Sequence, residues 1–281
     1  MKKFVIMATL LTIFPVASAG FVSTSMSIDV EEPPSIPLEK SKIITANVTL
    51  SWGFGNIFPI PVTVYVEAKE VPDWLSVSIS PTKFTVTPTG FFGGSSSKNI
   101  QITLMANREV TAYVSYPLKI HAYTNGSLIL RGSEATEEIY VMEDFVDNGL
   151  TIEKPSAVNF YVGEEKEIHL NITNNCNAPV YVEIEEENTT GFSLSYEEKK
   201  ISIQTKARKA ITIRVTAGEA KEAKIRLKFN YYPIGHEEKK NYEMEEITLL
   251  SRAKPQGGAI AIGIVIIIIA LILFVIWKKK R

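Results

Sequence analysis

The chain has 281 residues, 45% of them hydrophobic, and a formal net charge of −1. Six of its 30 basic residues lie in the two terminal segments, so the part between them carries a net charge of −7. Phosphate binding needs a concentrated basic face, and this acidic balance therefore argues against nucleic acid as a partner. The roughly 240 residues between the ends are enough for two domains of ordinary size.

The first 19 residues have the pattern of a secretory signal peptide. Lys2 precedes an apolar run over residues 4–16, and small residues occupy positions 17–19. A basic start, a short apolar run and a small-residue site are typical of a cleaved export signal. We expect cleavage after Ala19, which makes Gly20 the first residue of the mature chain. An uncleaved N-terminal anchor is the alternative.

Residues 20–142 alternate between apolar and polar side chains in short runs. Period-two alternation bounded by Pro, Gly, Asn and Ser predicts strands, and strands at this spacing predict an antiparallel Ig-like sandwich. The Asn125-Gly126 pair predicts a tight hairpin turn, because both turn positions need positive φ. The predicted runs begin at Ile44, Val62, Leu75, Phe84, Ile100 and Leu118.

Two aromatic loops interrupt this first domain. One contains Trp52 and Phe54, and the other contains Phe91 and Phe92 between glycines. Such side chains either plug the open end of a sandwich or form a recognition surface. We expect Trp52 and Phe54 to cap the core, and Phe91 and Phe92 to contact a partner from a flexible tip. Counting antiparallel strands places the two loops at opposite ends of the domain.

Residues 143–149 form a predicted linker in which alternation lapses. The acids Glu143, Asp144 and Asp147 lie here. We interpret the segment as a solvated linker, with a calcium-binding hinge as the alternative. The regular carboxylate spacing of a calcium loop is missing.

Residues 150–250 repeat the plan of the first domain and predict a second Ig-like sandwich. The run from Ile211 to Gly218 has the same alternating pattern as the run from Ile100 to Asn107, which lies 111 residues earlier. A repeat at that distance indicates a tandem array of whole domains. The second copy is also dense in Glu and Lys, which is typical of ion-paired solvent faces.

Two runs carry a resemblance to a known family. The segment 170–182, LNITNNCNAPVYV, resembles the strand, Asn-rich turn and strand that open CARDB-type Ig-like repeats of archaeal and bacterial surface proteins. The segment 71–77, VPDWLSV, is similar to the Pro-x-Trp start of a strand in those modules, and Gly191-Phe192 is a reduced copy. The resemblance implies sandwiches of seven to eight strands and a surface role, and it implies no ligand.

The C-terminal residues have the pattern of a membrane anchor. Residues 251–258 form a predicted stalk, and residues 259–277 are 19 positions without charge or Pro. At about 1.5 Å per residue this length nearly matches a hydrocarbon core of about 30 Å. The basic tail 278–281 places that end in the cytoplasm. The expected fold is all-β, with two tandem Ig-like antiparallel β-sandwich domains and one C-terminal transmembrane α-helix, in the cell membrane with the sandwiches outside.

Four glycosylation sequons and one cysteine are the candidate modification sites. The sequons begin at Asn47, Asn125, Asn171 and Asn188, all expected to be accessible. Cys176 lies in an Asn-rich turn and is expected to be exposed. A single exported cysteine either stays free or forms an interchain disulfide.

The sequence contains no pattern that indicates catalysis, a metal site or a cofactor. Its three histidines have no metal-ligand spacing, and no nucleophile motif or phosphate-binding loop is present. We therefore expect a non-enzymatic surface protein that binds or scaffolds an unknown protein or surface polymer in adhesion or envelope association. The alternative is an accessory subunit of a membrane complex such as a transporter, secretion or pilus-like machine.

Overall fold

A computed structural model describes residues 20–189, 191–254, 267–272 and 278. It divides into two compact units between Val146 and Asp147. The predicted signal peptide lies outside the described residues, as does the predicted anchor apart from residues 267–272, which are helical. Within the described ranges, no helix has both the length and the apolar character needed to cross a membrane.

Unit 1 is a sandwich of two four-stranded sheets with the strand orders β1-β2-β6-β4 and β5-β3-β7-β8. Its strands are β1 (Thr24–Val30), β2 (Ser41–Trp52), β3 (Val62–Lys69), β4 (Leu75–Ser80), β5 (Lys83–Val86), β6 (Gly94–Ala106), β7 (Tyr116–Thr124) and β8 (Ser133–Val141). All pairings between these strands are antiparallel.

Unit 2 repeats this pairing order with strands β9 to β17. Its sheets have the orders β13-β15-β11-β9 and β10-β17-β16-β12-β14, so β10 is the one strand added at an edge. The strands are β9 (Leu150–Glu153), β10 (Ala157–Tyr161), β11 (Lys166–Asn174), β12 (Val180–Glu187), β13 (Phe192–Tyr196), β14 (Lys200–Ile203), β15 (Arg208–Ala217), β16 (Lys221–Pro233) and β17 (Asn241–Arg252). A 3-10 helix at Glu237–Lys239 lies between the last two strands.

Alternation along the strands explains both cores. In β2, Ala46, Val48 and Leu50 are buried, whereas Thr45 and Asn47 are exposed. The corresponding strand β11 buries alternate apolar side chains in the same way. Since successive strand side chains point to opposite faces, each sheet turns one apolar face to the other sheet. The predicted all-β fold with two sandwiches is confirmed, but the prediction of purely antiparallel sheets is wrong for unit 2, where β10 pairs with β17 in parallel.

The strands β4 and β5 run in the same direction but belong to different sheets. Ser80 pairs with Gln101 of β6, and three residues later Lys83 pairs with Tyr65 of β3. The chain therefore changes sheet within one extended run. The predicted positions of the loops assume that the chain reverses direction after every predicted strand. No reversal occurs between β4 and β5, so the loop after β5 lies at the opposite end of the unit from the one predicted.

Two predicted boundaries need correction. Ser251 and Arg252, assigned to the stalk, complete β17. Glu143, assigned to a solvated linker, is fully buried in unit 1, where its Oε2 accepts a hydrogen bond from the Val110 amide. Hydrogen bonding to buried backbone groups is how a carboxylate is retained away from water.

The hairpin at Asn125-Gly126 also differs from its prediction. The strands β7 and β8 do form a hairpin, but eight residues, 125–132, connect them. Within this loop only Gly126 has a positive φ, at 75°, whereas the predicted turn needs a positive φ at both Asn125 and Gly126. The loop is long because Leu130 turns into the core at 1% exposure and pairs with Val22.

Candidate interaction site at one end of unit 1

Four segments meet at the same end of unit 1, and we call them together the apolar tip. They are residues 20–23 before β1, 53–61 between β2 and β3, 87–93 between β5 and β6, and 125–132 between β7 and β8. The registers place them there, because Trp52 pairs with both Thr24 and Gly94, and Val62 pairs with Val86. The prediction that the two aromatic loops lie at opposite ends is wrong, since β4 and β5 share one direction.

Backbone hydrogen bonds join the four segments. The Gly55 amide donates to the carbonyl of Phe91 at 2.8 Å, and the Gly53 amide donates to the carbonyl of Ser23 at 2.9 Å. Val22 donates to Ile129 and accepts from Arg131. The four segments of the tip are therefore held together by backbone hydrogen bonds and form one connected surface.

Glycine is required where this framework is tightest. Gly93 has φ of 94°, and a Cβ there would lie 2.6 Å from the carbonyl oxygen of Trp52. A Cβ at Gly94 would lie 2.8 Å from the Trp52 ring. The glycines that we interpreted as signs of a flexible tip thus permit close backbone approach and positive φ.

Trp52 and Asn56 close the core beneath the tip. Trp52 is 8% exposed, and its Nε1 donates to the carbonyl of Thr89 at 3.2 Å. Asn56 is 2% exposed, and its Nδ2 donates to the carbonyl of Pro88 at 2.7 Å. The structure therefore places Trp52 where the capping prediction expects it.

Phe54, by contrast, lies outside the cap. It is 63% exposed, so its predicted capping role is wrong. Its ring packs edge-on against Phe91 with centroids 4.3 Å apart and lies 6.2 Å from the ring of Phe92. Phe91 and Phe92 are themselves in edge contact at 5.5 Å. The three rings form one aromatic cluster built from two loops.

Further large apolar side chains in the four segments of the tip are exposed to water. Burying one such side chain contributes about 1.5–3 kcal/mol, so leaving several exposed forgoes a substantial free energy. Four of them, Phe21, Ile57, Phe58 and Leu128, were not singled out from the sequence, although Phe21, Phe58 and Leu128 adjoin Gly, Pro or Ser. The exposed large apolar residues of the tip are Phe21, Phe54, Ile57, Phe58, Phe91, Phe92 and Leu128.

The corresponding end of unit 2 is closed by polar groups. The Nδ2 of Asn174 donates to the carbonyls of Ala178, Ile203 and Gln204, which joins the loop after β11 to the loop after β14. Ile234 is the large apolar residue exposed in the described loops there, at 40%. A sandwich of this topology therefore does not need exposed aromatic loops to close its end.

The sequons differ in their surroundings. Asn47 and Asn125 are exposed, as is Asn188, whereas Asn171 is half-buried in β11 between β9 and β15. The hydroxyl of Ser127, in the Asn125 sequon, accepts hydrogen bonds from the amides of Ile129 and Leu130. Glycosylation at these positions stays a prediction.

Cys176 is buried, which corrects the expectation of an exposed turn residue. Asn174 folds the turn inward, because its Oδ1 accepts the Cys176 amide while its Nδ2 holds the neighbouring loop. Burial raises the pKa of the thiol to about 11. A disulfide to another chain would first require this turn to open.

Asp147 connects the start of unit 2 to its sandwich. It accepts hydrogen bonds from the Tyr231 hydroxyl at 2.8 Å, from Asn241 and from the Gly149 amide. Burial acts to raise the pKa of the carboxyl, but the bonds from Asn241, Tyr231 and Gly149 outweigh it, so the pKa lies below its usual value. This part of the predicted linker is therefore fixed to the sandwich of unit 2, and we call the hydrogen bonds of Asp147 to Tyr231 and Asn241 the latch.

Among the described residues, no group of three or more His, Cys, Asp or Glu side chains is placed to hold a metal ion. No protein-family model matches the chain, and no curated protein matches it.

Solved structures show distant similarity only. An ASH/PapD-like domain of human CEP192 has a TM-score of 0.33 and 10% identity, over 38% of this chain and 87% of that one. The C. elegans MSP family member WR4 has a TM-score of 0.28 and 14% identity, over 37% and 97% of the two chains. A Porphyromonas gingivalis W83 protein of unknown function has a TM-score of 0.29 and 13% identity, over 80% and 99%. At such scores these similarities carry no argument about function.

Proposed function

We propose that this is a non-enzymatic cell-surface protein, anchored in the cell membrane by residues 259–277, that binds or scaffolds through the apolar tip of unit 1. The export and anchoring parts of the proposal rest on the sequence patterns of residues 1–19 and 259–281. The binding part rests on the structure of the tip.

The observation that carries the binding role is the exposed aromatic cluster of Phe54, Phe91 and Phe92. Large contiguous apolar surface is uncommon on a monomer and marks interaction sites. The core below is already closed by Trp52, and unit 2 closes the same end with polar side chains. Folding therefore gives no reason for the cluster to be exposed, whereas binding does.

The orientation is tested on intact cells. A protease added outside should degrade both sandwiches and leave only the anchor and the tail 278–281. Persistence of unit 2 in cells where control surface proteins are degraded would contradict the orientation. A protein that is cut in exposed loops but stays folded is recognised when the digested sample is separated on a denaturing gel, because the cut fragments then come apart.

The binding role is tested by changing the most exposed tip residues, Phe92→Ser with Leu128→Ser. Their side chains are 87% and 91% exposed, so the fold should be retained. Mild detergent extraction followed by mass analysis compares the chains that copurify with the wild type and the double variant. The matched control is Asp73→Ser, an exposed residue at the other end of unit 1. A partner lost only from the tip variant supports binding there. A partner retained by all variants would instead favour the accessory-subunit alternative through the anchor.

A further inference from the structure

We propose that the apolar tip inserts into the interfacial layer of a lipid bilayer. This deepens the proposed binding role and rests on it, because it names the partner of the same surface. The occupant is a phospholipid surface, not a protein groove or a second copy of the chain.

The charge distribution of unit 1 favours a lipid partner. Arg131 is the only ionisable side chain in the four segments of the tip, and the expected cleavage adds the α-amino group of Gly20 as a second cation. Charged groups concentrate at the opposite end instead, where Glu70 and Asp73 precede β4 and Arg108 and Glu109 follow β6. Carboxylates are repelled by anionic headgroups and are costly in the apolar layer, whereas an arginine attracts anionic headgroups and can extend its guanidinium back to them from the apolar layer.

The kind of side chain exposed also favours lipid over protein. Protein interfaces concentrate their energy in Tyr, Trp and Arg and carry about one hydrogen bond per 100–200 Å². The large exposed side chains of the tip are Phe, Ile and Leu, which have no hydrogen-bonding group. The amide of Asn56 points into the unit, and the hydroxyl of Ser127 is used within its own loop. Thr87, Thr89 and Asn125 are exposed and uncharged, and insertion requires that Asn125 carries no glycan. Lipid chains need no polar partner.

The tip is also arranged as a prebuilt protrusion. Its loops are joined by the bonds from Gly55 to Phe91 and from Val22 to Ile129, and Phe54 contacts both neighbouring rings. Insertion therefore orders few additional groups, and each Phe or Leu that leaves water strengthens partitioning by roughly ten-fold or more. Interfacial apolar faces reach about 5–10 Å below the headgroups, which is the depth of a loop side chain.

The test uses the full chain reconstituted into vesicles of phosphatidylcholine with a minor fraction of phosphatidylglycerol. An environment-sensitive fluorophore is attached at Phe92→Cys, with Asp73→Cys as the matched control at the opposite end. The wild-type chain provides the labelling blank, because Cys176 is buried. Quencher lipids spin-labelled near the headgroup are placed either in the host vesicles or in added protein-free vesicles.

Insertion predicts blue-shifted emission at position 92 that is lost on addition of quencher lipid from either vesicle population, with water-like, unquenched emission at position 73. Adding Phe21→Ser and Leu128→Ser to the labelled chain should restore water-like emission at position 92. Water-like emission at 92 in chains that float with the vesicles would overturn the lipid proposal and leave the anchored binding protein intact. If the same label is shielded only in native membranes, the partner is a protein. Chains that do not float at all would contradict the membrane anchoring itself.

Discussion

Three substitutions at the tip should destabilise unit 1 in the order of their burial. Phe92→Ser removes a side chain that is 87% exposed, so burial contributes only about one eighth of the usual 1.5–3 kcal/mol, or roughly 0.3 kcal/mol, and the lost edge contact with Phe91 adds about 0.5–1.5 kcal/mol. Phe91 is 45% exposed, which gives about 1–1.5 kcal/mol, and its edge contact with Phe54 adds about 0.5–1.5 kcal/mol. Trp52→Ala empties a site that is 8% exposed and should cost about 3–5 kcal/mol.

Urea unfolding followed by tryptophan fluorescence measures these differences. Trp52 and Trp74 both lie in unit 1, and Trp74 is 2% exposed, so it still reports unfolding in the Trp52→Ala variant. The three variants should share the wild-type dependence on urea, since the surface exposed on unfolding hardly changes. A loss at Phe92→Ser as large as that at Trp52→Ala would refute the reasoning, because Phe92 would then be part of the core. No loss at Phe91→Ser would refute the aromatic cluster.

Three further outcomes follow from unit 2. A fragment from Asp147 to Lys254 should fold alone and be more stable to urea than one that begins at Leu150, because the shorter fragment keeps all of β9 but lacks the hydrogen bonds of Asp147; equal stability would contradict the latch. In the native protein Cys176 should react with a thiol reagent near pH 8 about a hundred-fold more slowly than in urea, as a thiol whose pKa is raised to about 11 is rarely ionised there; rapid native labelling would show an open turn. Asp147→Asn should be less stable than the wild type at neutral pH, and the difference should shrink below about pH 4, because a carboxyl whose folded pKa is lowered stabilises only while ionised; a difference that persists in acid would assign the loss to packing.

The sequence predicts the strands well because alternation is a direct physical requirement of a half-buried sheet. The alternating run in β2 and its counterpart in β11 both have one buried and one exposed face. The two units also pair their strands in the same order. What alternation cannot show is which sheet a strand joins. The run from β4 to β5 changes sheet around Pro81 without a long interruption, and the predicted positions of the aromatic loops were wrong for that reason alone.

Side-chain hydrogen bonds to loop backbone account for two further errors, at the Cys176 turn and at the 125–132 loop. Asn174 turns an Asn-rich, polar segment into a closed corner that buries Cys176. Ser127 and Leu130 similarly shape the loop that a tight Asn-Gly turn was expected to form. The bonds of Cys176 to Asn174 and of Leu130 to Ser127 are local, whereas those from Asn174 to the carbonyls of Ile203 and Gln204 depend on which loops meet at one end of the sandwich. No local pattern contains that second kind of information.

The two units provide an internal comparison of what this fold needs and what it carries in addition. At the tip end, the connections of unit 1 have nine, seven and eight residues, over 53–61, 87–93 and 125–132. Their counterparts in unit 2 have five, four and seven, over 175–179, 204–207 and 234–240. Longer loops cost closure entropy, and exposed Phe and Leu side chains gain nothing from burial. Extra loop length and exposed apolar side chains occur together at the same three connections of unit 1. One requirement placed on this end of the unit as a whole therefore explains both features. A surface that must enter another apolar phase requires both length and apolar composition, whereas closing a sandwich requires neither.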